Sequence, residues 1–188
     1  MNDTARAVGP DITADVVRAL CLYAIAEFQA GHASTLRISA SGNSFSVSDD
    51  GRGHSVNRTV SGAPYLQFIY TQLDYPFGKA EGAPVQLQGI GMSLINVLCS
   101  ELQVTVTKAD KTLRLRYEEG RLIQEDCIEL ASPVTGTAVS GRINAGVQRN
   151  PTDVGQIECW LEGVLAAQPT MKLYFNGKAM GVRASKSV

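Results

Sequence analysis

The pentapeptide Asp49-Asp50-Gly51-Arg52-Gly53 directly follows a short run in which serine alternates with Phe45 and Val47. Alternation of this kind predicts a β-strand with one buried face, and the pentapeptide would lie at the end of that strand. A carboxylate there can accept a hydrogen bond from the exocyclic amino group of adenine, and glycines let a flat base approach the backbone. An Asp before glycines is also typical of an ordinary turn, so the pentapeptide alone leaves both interpretations open.

The residues before this strand predict a helix and a β-hairpin. From Ile12 to Ala30 apolar residues recur at helical spacing, and Gly31 stands where such a helix would end. Two alternating runs, Thr35 to Ser39 and Ser44 to Ser48, flank a short Gly-containing turn and predict the two strands of the hairpin.

The region after the pentapeptide, from His54 to Gln88, is rich in Gly, Pro and Ser and predicts one short helix, from Tyr65 to Leu73. It is long for a connection, and such connections are typical of functional lids or disordered segments. A second apolar helix is predicted from Met92 to Leu102. Its inner face is expected to consist of Leu94, Ile95, Leu98 and Leu102.

Beyond that helix the pattern changes to a period of two, which predicts an antiparallel meander. The expected strands are 104–107, 112–117, 122–128 and 137–140, followed by a helix at 152–167 and a strand at 172–175. Helices before and after antiparallel strands predict an α+β protein, a two-layer α/β sandwich whose mixed, mainly antiparallel sheet is covered on one face by helices. We expect one domain, residues 11–180, between a flexible lead-in at 1–10 and a tail at 181–188.

Composition narrows the functional class. The 188 residues carry a formal net charge of −1 without a run of Lys or Arg, so we expect no direct binding of DNA. No run reaches the roughly 18 apolar residues of a membrane span, and no signal peptide is recognisable. The four cysteines are far apart and have apolar neighbours, which predicts reduced core residues rather than a zinc site. A cytoplasmic protein is therefore expected.

Two further motifs suit a nucleotide. Gly89-Ile90-Gly91 opens the second helix, where free backbone N–H groups and the helix dipole favour a phosphate. Thr135-Gly136-Thr137 begins a strand. Each motif by itself is equally typical of a tight turn.

The order of these features resembles the ATPase domain of the gyrase and topoisomerase IV B subunits, within the wider family that includes MutL, heat-shock chaperones and sensor histidine kinases. The resemblance extends over about residues 11–178 and includes Ala30-Gly31-His32, Gly89 to Asn96 and Tyr117 to Gly120. It implies the Bergerat fold and an ATP or ADP site. In that family the counterpart of Asp49 binds the adenine amino group, and the counterpart of Thr137 supports it through a shared water. Gly51 and Gly53 are then expected to shape the base pocket.

The resemblance also implies contacts around the base and the phosphates. Arg52 would stack over the adenine and pair with Glu27, and Gly89 and Gly91 would face the phosphates. Lys108 stands at the pocket rim, where the gyrase branch has an arginine. Lys79 is a candidate phosphate contact, although a lysine in such a loop is more often solvated.

Two family residues are missing from the first helix. In the family a glutamate activates the attacking water, and an asparagine four residues later, on the same helix face, holds magnesium. Alignment on Ala30-Gly31-His32 puts Ala19 and Tyr23 at these positions. A methyl group accepts no proton, and a phenol is a poor magnesium ligand. Asp15 lies one turn earlier, about 5.4 Å along the helix, too far to act directly as a displaced base.

The sequence therefore predicts an adenine-nucleotide-binding module with lost or strongly impaired hydrolysis and no magnesium site, acting through a protein partner or by regulation. Two alternatives remain. One is a working ATPase domain of a type II topoisomerase, which would need an acidic residue near the terminal phosphate. The other is a scaffold in which Tyr23 closes the pocket.

Overall fold

The structure is a computed structural model, which describes residues 10–60, 62–72, 91–130 and 134–181. Four helices and ten strands lie in these ranges. They are α1 (Ile12–Gln29), β1 (Thr35–Ser41), β2 (Ser44–Asp49), β3 (Thr59–Val60), β4 (Ala63–Pro64), α2 (Tyr65–Thr71), α3 (Met92–Leu98), β5 (Cys99–Lys108), β6 (Lys111–Glu118), β7 (Arg121–Glu129), β8 (Gly136–Ile143), α4 (Val154–Ala167), β9 (Lys172–Phe175) and β10 (Lys178–Ala179). None of these helices combines the length and the apolar composition needed to cross a membrane.

Eight strands form one sheet in the order β10-β9-β1-β2-β8-β5-β6-β7. Every neighbouring pair is antiparallel except β1 and β9, which are parallel. Burial alternates along β1, where Leu36, Ile38 and Ala40 are buried beneath α1 while Arg37 and Ser39 are exposed on the other face. The predicted class, a mixed and mainly antiparallel sheet covered on one face by helices, is confirmed.

The position of β8 differs from the predicted meander. Of the four strands predicted to form the meander, β5, β6 and β7 are neighbours in chain order. The fourth, β8, instead lies between β2 and β5. Its register sets Thr137 opposite Asp49 on one side and opposite Val106 on the other. Alternation identifies a strand and its buried face but not its neighbour, so this pairing was not visible in the sequence.

The helix predicted from Met92 to Leu102 is shorter than expected. α3 ends at Leu98, and Cys99 to Leu102 belong to β5, where Leu102 pairs with Tyr117 and Gly141. Leu94, expected on the inner face, is 36% exposed, whereas Ile95 is fully buried. A continuous apolar run suits either a helix or a buried strand, and the strand pairing decides.

The lid predicted from His54 to Gln88 is described only in part. It contains an unpredicted two-stranded hairpin, β3 with β4, and then α2. Residues 73–90, with Lys79 and Gly89, lie outside the described residues, as do the predicted lead-in residues 1–9 and tail residues 182–188.

Two of the four cysteines are not core residues. Cys21 and Cys99 are buried, but Cys127 and Cys159 are exposed, and all four are free. Cys127 lies on β7, which has one neighbouring strand among the described residues. Cys159 lies on the side of α4 away from the buried Ile157 and Leu161. Apolar sequence neighbours do not tell which face of an element a residue occupies.

Asp11 joins the starts of α1 and α4. Its Oδ1 accepts a hydrogen bond from the Ala14 N–H at 3.0 Å and so caps α1. Its Oδ2 accepts from the Thr152 hydroxyl at 2.8 Å and from the Asp153 N–H at 2.8 Å. Because Asp153 in turn caps α4, one carboxylate fixes the helical layer at this end.

We predict that Asp11→Ala lowers the free energy of unfolding by about 1–2 kcal/mol, the usual effect of losing a helix cap. Asp15→Ala is the matched control, because Asp15 lies on the same helix and makes only an exposed pair with Arg18. Urea denaturation of both variants measures the difference. Equal losses would contradict the joining role of Asp11.

Candidate functional site

Asp49 lies at the end of β2, half-buried, with Thr137 of β8 opposite it. Its Oδ1 accepts a hydrogen bond from the Gly51 N–H at 2.8 Å. Burial raises the pKa of this carboxyl group to about 6; the charges of Glu27 and Asp50 add to the rise, while hydrogen bonds from the Gly51 and Thr137 backbones oppose it. The site therefore contains an acid whose charge changes close to neutral pH.

Asp50, the next residue, has a structural role. Its carboxylate accepts hydrogen bonds from the Ser34 N–H at 2.7 Å, the Ser34 hydroxyl at 2.6 Å and the Thr35 N–H at 2.8 Å. Although burial raises its pKa, these bonds lower it to about 2. Asp50 thus holds the turn against the connection between α1 and β1, and Asp49 is the acid left facing inward.

The glycines of this turn are required by the packing of the protein itself. A Cβ on Gly51 would lie 2.7 Å from Asp49 Oδ1, and one on Gly53 would lie 2.9 Å from the Thr107 carbonyl oxygen, at a backbone φ of +67°. A Cβ on Gly136 would collide with the Asp49 carbonyl oxygen. These glycines are therefore required where the ends of β2, β5 and β8 meet. A role of Gly51 and Gly53 in shaping a base pocket remains a prediction.

Glu27 and Arg52 form the ion pair expected from the resemblance. Arg52 Nη2 lies 2.7 Å from Glu27 Oε1 and Arg52 Nε lies 3.1 Å from Glu27 Oε2, so the contact is bidentate. The hydrogen bond from Arg52 is the main cause that lowers the pKa of Glu27. Because the arginine is exposed, the pair adds little stability. It orients the guanidinium at the mouth of the site, and stacking on a base remains a prediction.

Ala19 and Tyr23 lie one turn apart on α1. Ala19 is buried at 7% exposure, and the half-buried Tyr23 packs against the core. Burial raises the pKa of Tyr23, and the nearby Tyr65 adds to the rise, so its hydroxyl is a neutral phenol at neutral pH. A methyl group and a neutral phenol do not fit magnesium, which prefers carboxylate, amide or carbonyl oxygens. Asp15, considered as a displaced base, pairs instead with Arg18 at 3.2 Å.

The phosphate side of the site is described only in part. Gly91 precedes α3 with extended backbone angles, and α3 has seven residues. Lys108 ends β5 at a cleft of about 290 Å³, which is also lined by Ser55, Val56 and Asn57. The phosphate roles of Gly89, Gly91 and Lys79 and the rim role of Lys108 remain predictions.

Sequence reasoning missed two residues whose pKa values respond to the charge of Asp49 or Glu27. Tyr70 on α2 is fully buried, and after burial and Tyr117 the groups that raise its pKa are Tyr23 and Asp49. His54 is half-buried near Glu27 and Lys108, and burial is the main cause that lowers its pKa. No motif marks either residue. In a short apolar helix, Tyr70 is typical of an ordinary core residue.

Comparison with known proteins identifies relatives in sequence and in fold. No protein-family profile matches the chain. The chain is 32% identical over 121 residues to the DNA gyrase B subunit of Streptococcus pyogenes and 31% identical over 123 residues to the DNA topoisomerase 4 B subunit of Pseudomonas aeruginosa. These matches cover 61% and 60% of the chain, which spans only 18% and 19% of the lengths of the two relatives.

The fold is similar to that of the 43K ATPase domain of Thermus thermophilus gyrase B, solved in complex with an aminocoumarin. The TM-score is 0.72 and the identity is 24%, over 87% of this chain and 43% of that one. The chain thus has the fold of the gyrase B ATPase domain and is similar in sequence to the B subunits of gyrase and topoisomerase IV, so the predicted resemblance is confirmed.

Proposed function

We propose that this chain binds an adenine nucleotide, ATP or ADP, without effective hydrolysis, and acts by binding a partner protein or regulating it. One observation carries the proposal: the half-buried acid Asp49 stands where the resemblance expects the base contact, while α1 offers Ala19 and Tyr23 where hydrolysis would need a proton acceptor and a magnesium ligand.

The surroundings of Asp49 support recognition of a base. Its carboxylate accepts hydrogen bonds from the backbones of Gly51 and Thr137 and retains further acceptor capacity, since an ionised carboxylate has about four lone-pair positions. The adenine amino group is a donor that suits this acceptor, whereas guanine presents an oxygen at the same position. Arg52, held by Glu27 at the mouth, supplies a planar cation that can stack on the ring.

The chemistry of α1 argues against turnover. Loss of a positioned general base typically lowers a rate by about 10²–10⁴. Without a magnesium ligand on α1, the charge on the transferred phosphoryl group also loses a main source of stabilisation. Ala19 and Tyr23 therefore supply no hydrolytic step.

A module that binds without turnover can still act on a partner. A nucleotide that favours one state of a protein, or one complex, shifts the population toward it by mass action. The similarity to B subunits makes a type II topoisomerase, or a protein that regulates one, the class of partner that we propose.

We predict that the wild type binds ADP and that Asp49→Asn lowers the affinity about 10- to 100-fold, because a hydrogen bond to a charged acceptor contributes about 1.5–3 kcal/mol. Isothermal titration calorimetry measures the affinity, with Asp126→Asn on β7 as the control at a distant acid. Unchanged affinity in Asp49→Asn would refute the base contact. Absence of ADP binding by the wild type would favour the closed-pocket scaffold.

We predict that affinity for adenosine, which has no titrating phosphate, rises as the pH increases through about 6, where Asp49 ionises. The folding stability of the free protein has the opposite pH dependence. Because the pKa of the Asp49 carboxyl group is raised from 3.8 to about 6 in the folded protein, protonation favours folding, and stability is lost as the pH rises across that interval. Titrations from about pH 5 to about pH 7 measure the change in affinity. Asp49→Asn is expected to flatten the profile, and an equally steep profile in that variant would assign the titration to another group.

We predict that phosphate release from magnesium-ATP stays at background for the wild type, and that binding of ADP is nearly the same with magnesium and with a chelator. Ala19→Glu combined with Tyr23→Asn is expected to restore measurable release, because it supplies a base and a metal ligand one turn apart. Ala19→Glu alone is the control and is expected to restore less. Rapid release by the wild type would instead support a working ATPase.

A further inference from the structure

Glu27 brings a second carboxylate close to Asp49. Both side chains lie against Gly51: a Cβ on Gly51 would be 2.7 Å from Asp49 Oδ1 and 3.2 Å from Glu27 Cβ. A like charge nearby disfavours the ionised form of a carboxyl group, and after burial the charge of Glu27 raises the pKa of Asp49 most. Glu27 therefore opposes the ionised form of Asp49, which is the stronger hydrogen-bond acceptor.

Three hydrogen bonds from Arg52 hold the carboxylate of Glu27. Arg52 Nη2 donates to Glu27 Oε1 at 2.7 Å, whereas Arg52 Nε at 3.1 Å and the Arg52 backbone N–H at 3.2 Å both donate to Glu27 Oε2. The cation lies at the mouth of the site, where 54% of the Arg52 side chain is exposed, against 22% for Glu27. An opposite charge in contact with Glu27 offsets the field of Glu27 at Asp49.

Other ionisable groups interact electrostatically with one of these two acids. Besides Arg52, they are Asp50, His32, His54 and Tyr70. Asp50 stays ionised near neutral pH because its pKa is about 2, and Tyr70 stays neutral because burial raises its pKa. Histidines are able to change charge near neutral pH, so a titration has to observe Asp49 itself.

We propose that Arg52 is a positioning residue of the base site: by pairing with Glu27, it keeps the carboxyl group of Asp49 ionised for its hydrogen bond with the adenine amino group. This inference rests on the proposed function. A cation that offsets a neighbouring acid, rather than covering Asp49, leaves the acceptor open to a ligand. The role also differs from the predicted stacking of Arg52 on the base, because stacking does not depend on the charge of Glu27.

The test follows the carboxyl carbon signal of Asp49 by NMR in the full chain without ligand, from about pH 4 to about pH 8. Arg52→Gln is expected to raise the pKa of Asp49 by about 0.5–1 pH unit, and by less at high salt, because the charge of Glu27 is no longer offset. Glu27→Gln is expected to lower it, and adding Arg52→Gln to Glu27→Gln is expected to change little. Arg116→Gln is the matched control, because it breaks another exposed pair, with Glu118 on β6.

Adenosine affinity, measured by isothermal titration calorimetry, connects this ionisation to the site. The loss of affinity in Arg52→Gln is expected to be about 2- to 5-fold larger at about pH 6 than at about pH 8, because a raised pKa leaves fewer Asp49 side chains ionised at the lower pH. Arg52→Lys retains the charge and is expected to remove most of this difference between the two pH values. Equal losses at both pH values would assign Arg52 to stacking alone and overturn the inference.

The NMR titration separates failure of the inference from failure of the proposed function. If the pKa of Asp49 in Arg52→Gln equals that of the wild type, or rises equally when Glu27 is already Gln, the inference is wrong while the proposed function stands. If the wild type does not bind adenosine at either pH, the proposed function fails and the role of Arg52 in the base site fails with it.

Discussion

The insertion of β8 between β2 and β5 is the constraint on which the rest of the site depends. It brings the ends of three strands so close together that Gly136 has no room for a side chain beside the Asp49 carbonyl, and Gly53 none beside Thr107. The same register sets Thr137 opposite Asp49. The glycines that look like a nucleotide motif in the sequence are thus first a requirement of strand packing, and the position of Asp49 follows from it.

Adjacent acids in this turn acquire opposite properties from their surroundings. Asp50 is satisfied by three hydrogen bonds from Ser34 and Thr35, which hold its pKa near 2. Asp49 accepts hydrogen bonds from the backbones of Gly51 and Thr137 but is more buried, and burial raises its pKa to about 6. The first therefore stabilises the fold as a permanent charge, whereas the second keeps acceptor capacity for a ligand. Two identical side chains on neighbouring residues can divide structure and recognition in this way because successive residues of an extended chain face opposite sides.

α1 carries a methyl group and a phenol, Ala19 and Tyr23, where hydrolysis would require a proton acceptor and a magnesium ligand. Burial keeps the phenol of Tyr23 neutral. A neutral phenol donates and accepts hydrogen bonds but neither removes a proton from water at neutral pH nor compensates the charge of a triphosphate. The chemistry of α1 therefore agrees with the proposed module that binds without turnover.

The fold class, the main helices and most strands could be predicted from the sequence, because helical and strand periodicities and the glycine turns are local signals. α1, the first hairpin and β9 lie close to their predicted positions. Local patterns were insufficient for features that depend on strand pairing between distant segments. These features are the end of α3 at Leu98, the position of β8 in the sheet and the exposure of Cys127 on an edge strand. The sequence by itself determined that Asp49 is a candidate for the base and that Ala19 and Tyr23 lack the catalytic chemistry. Only the tertiary structure decided that Asp50 serves the turn and that β8 sets Thr137 opposite Asp49, because burial and hydrogen bonding depend on segments far apart in the chain.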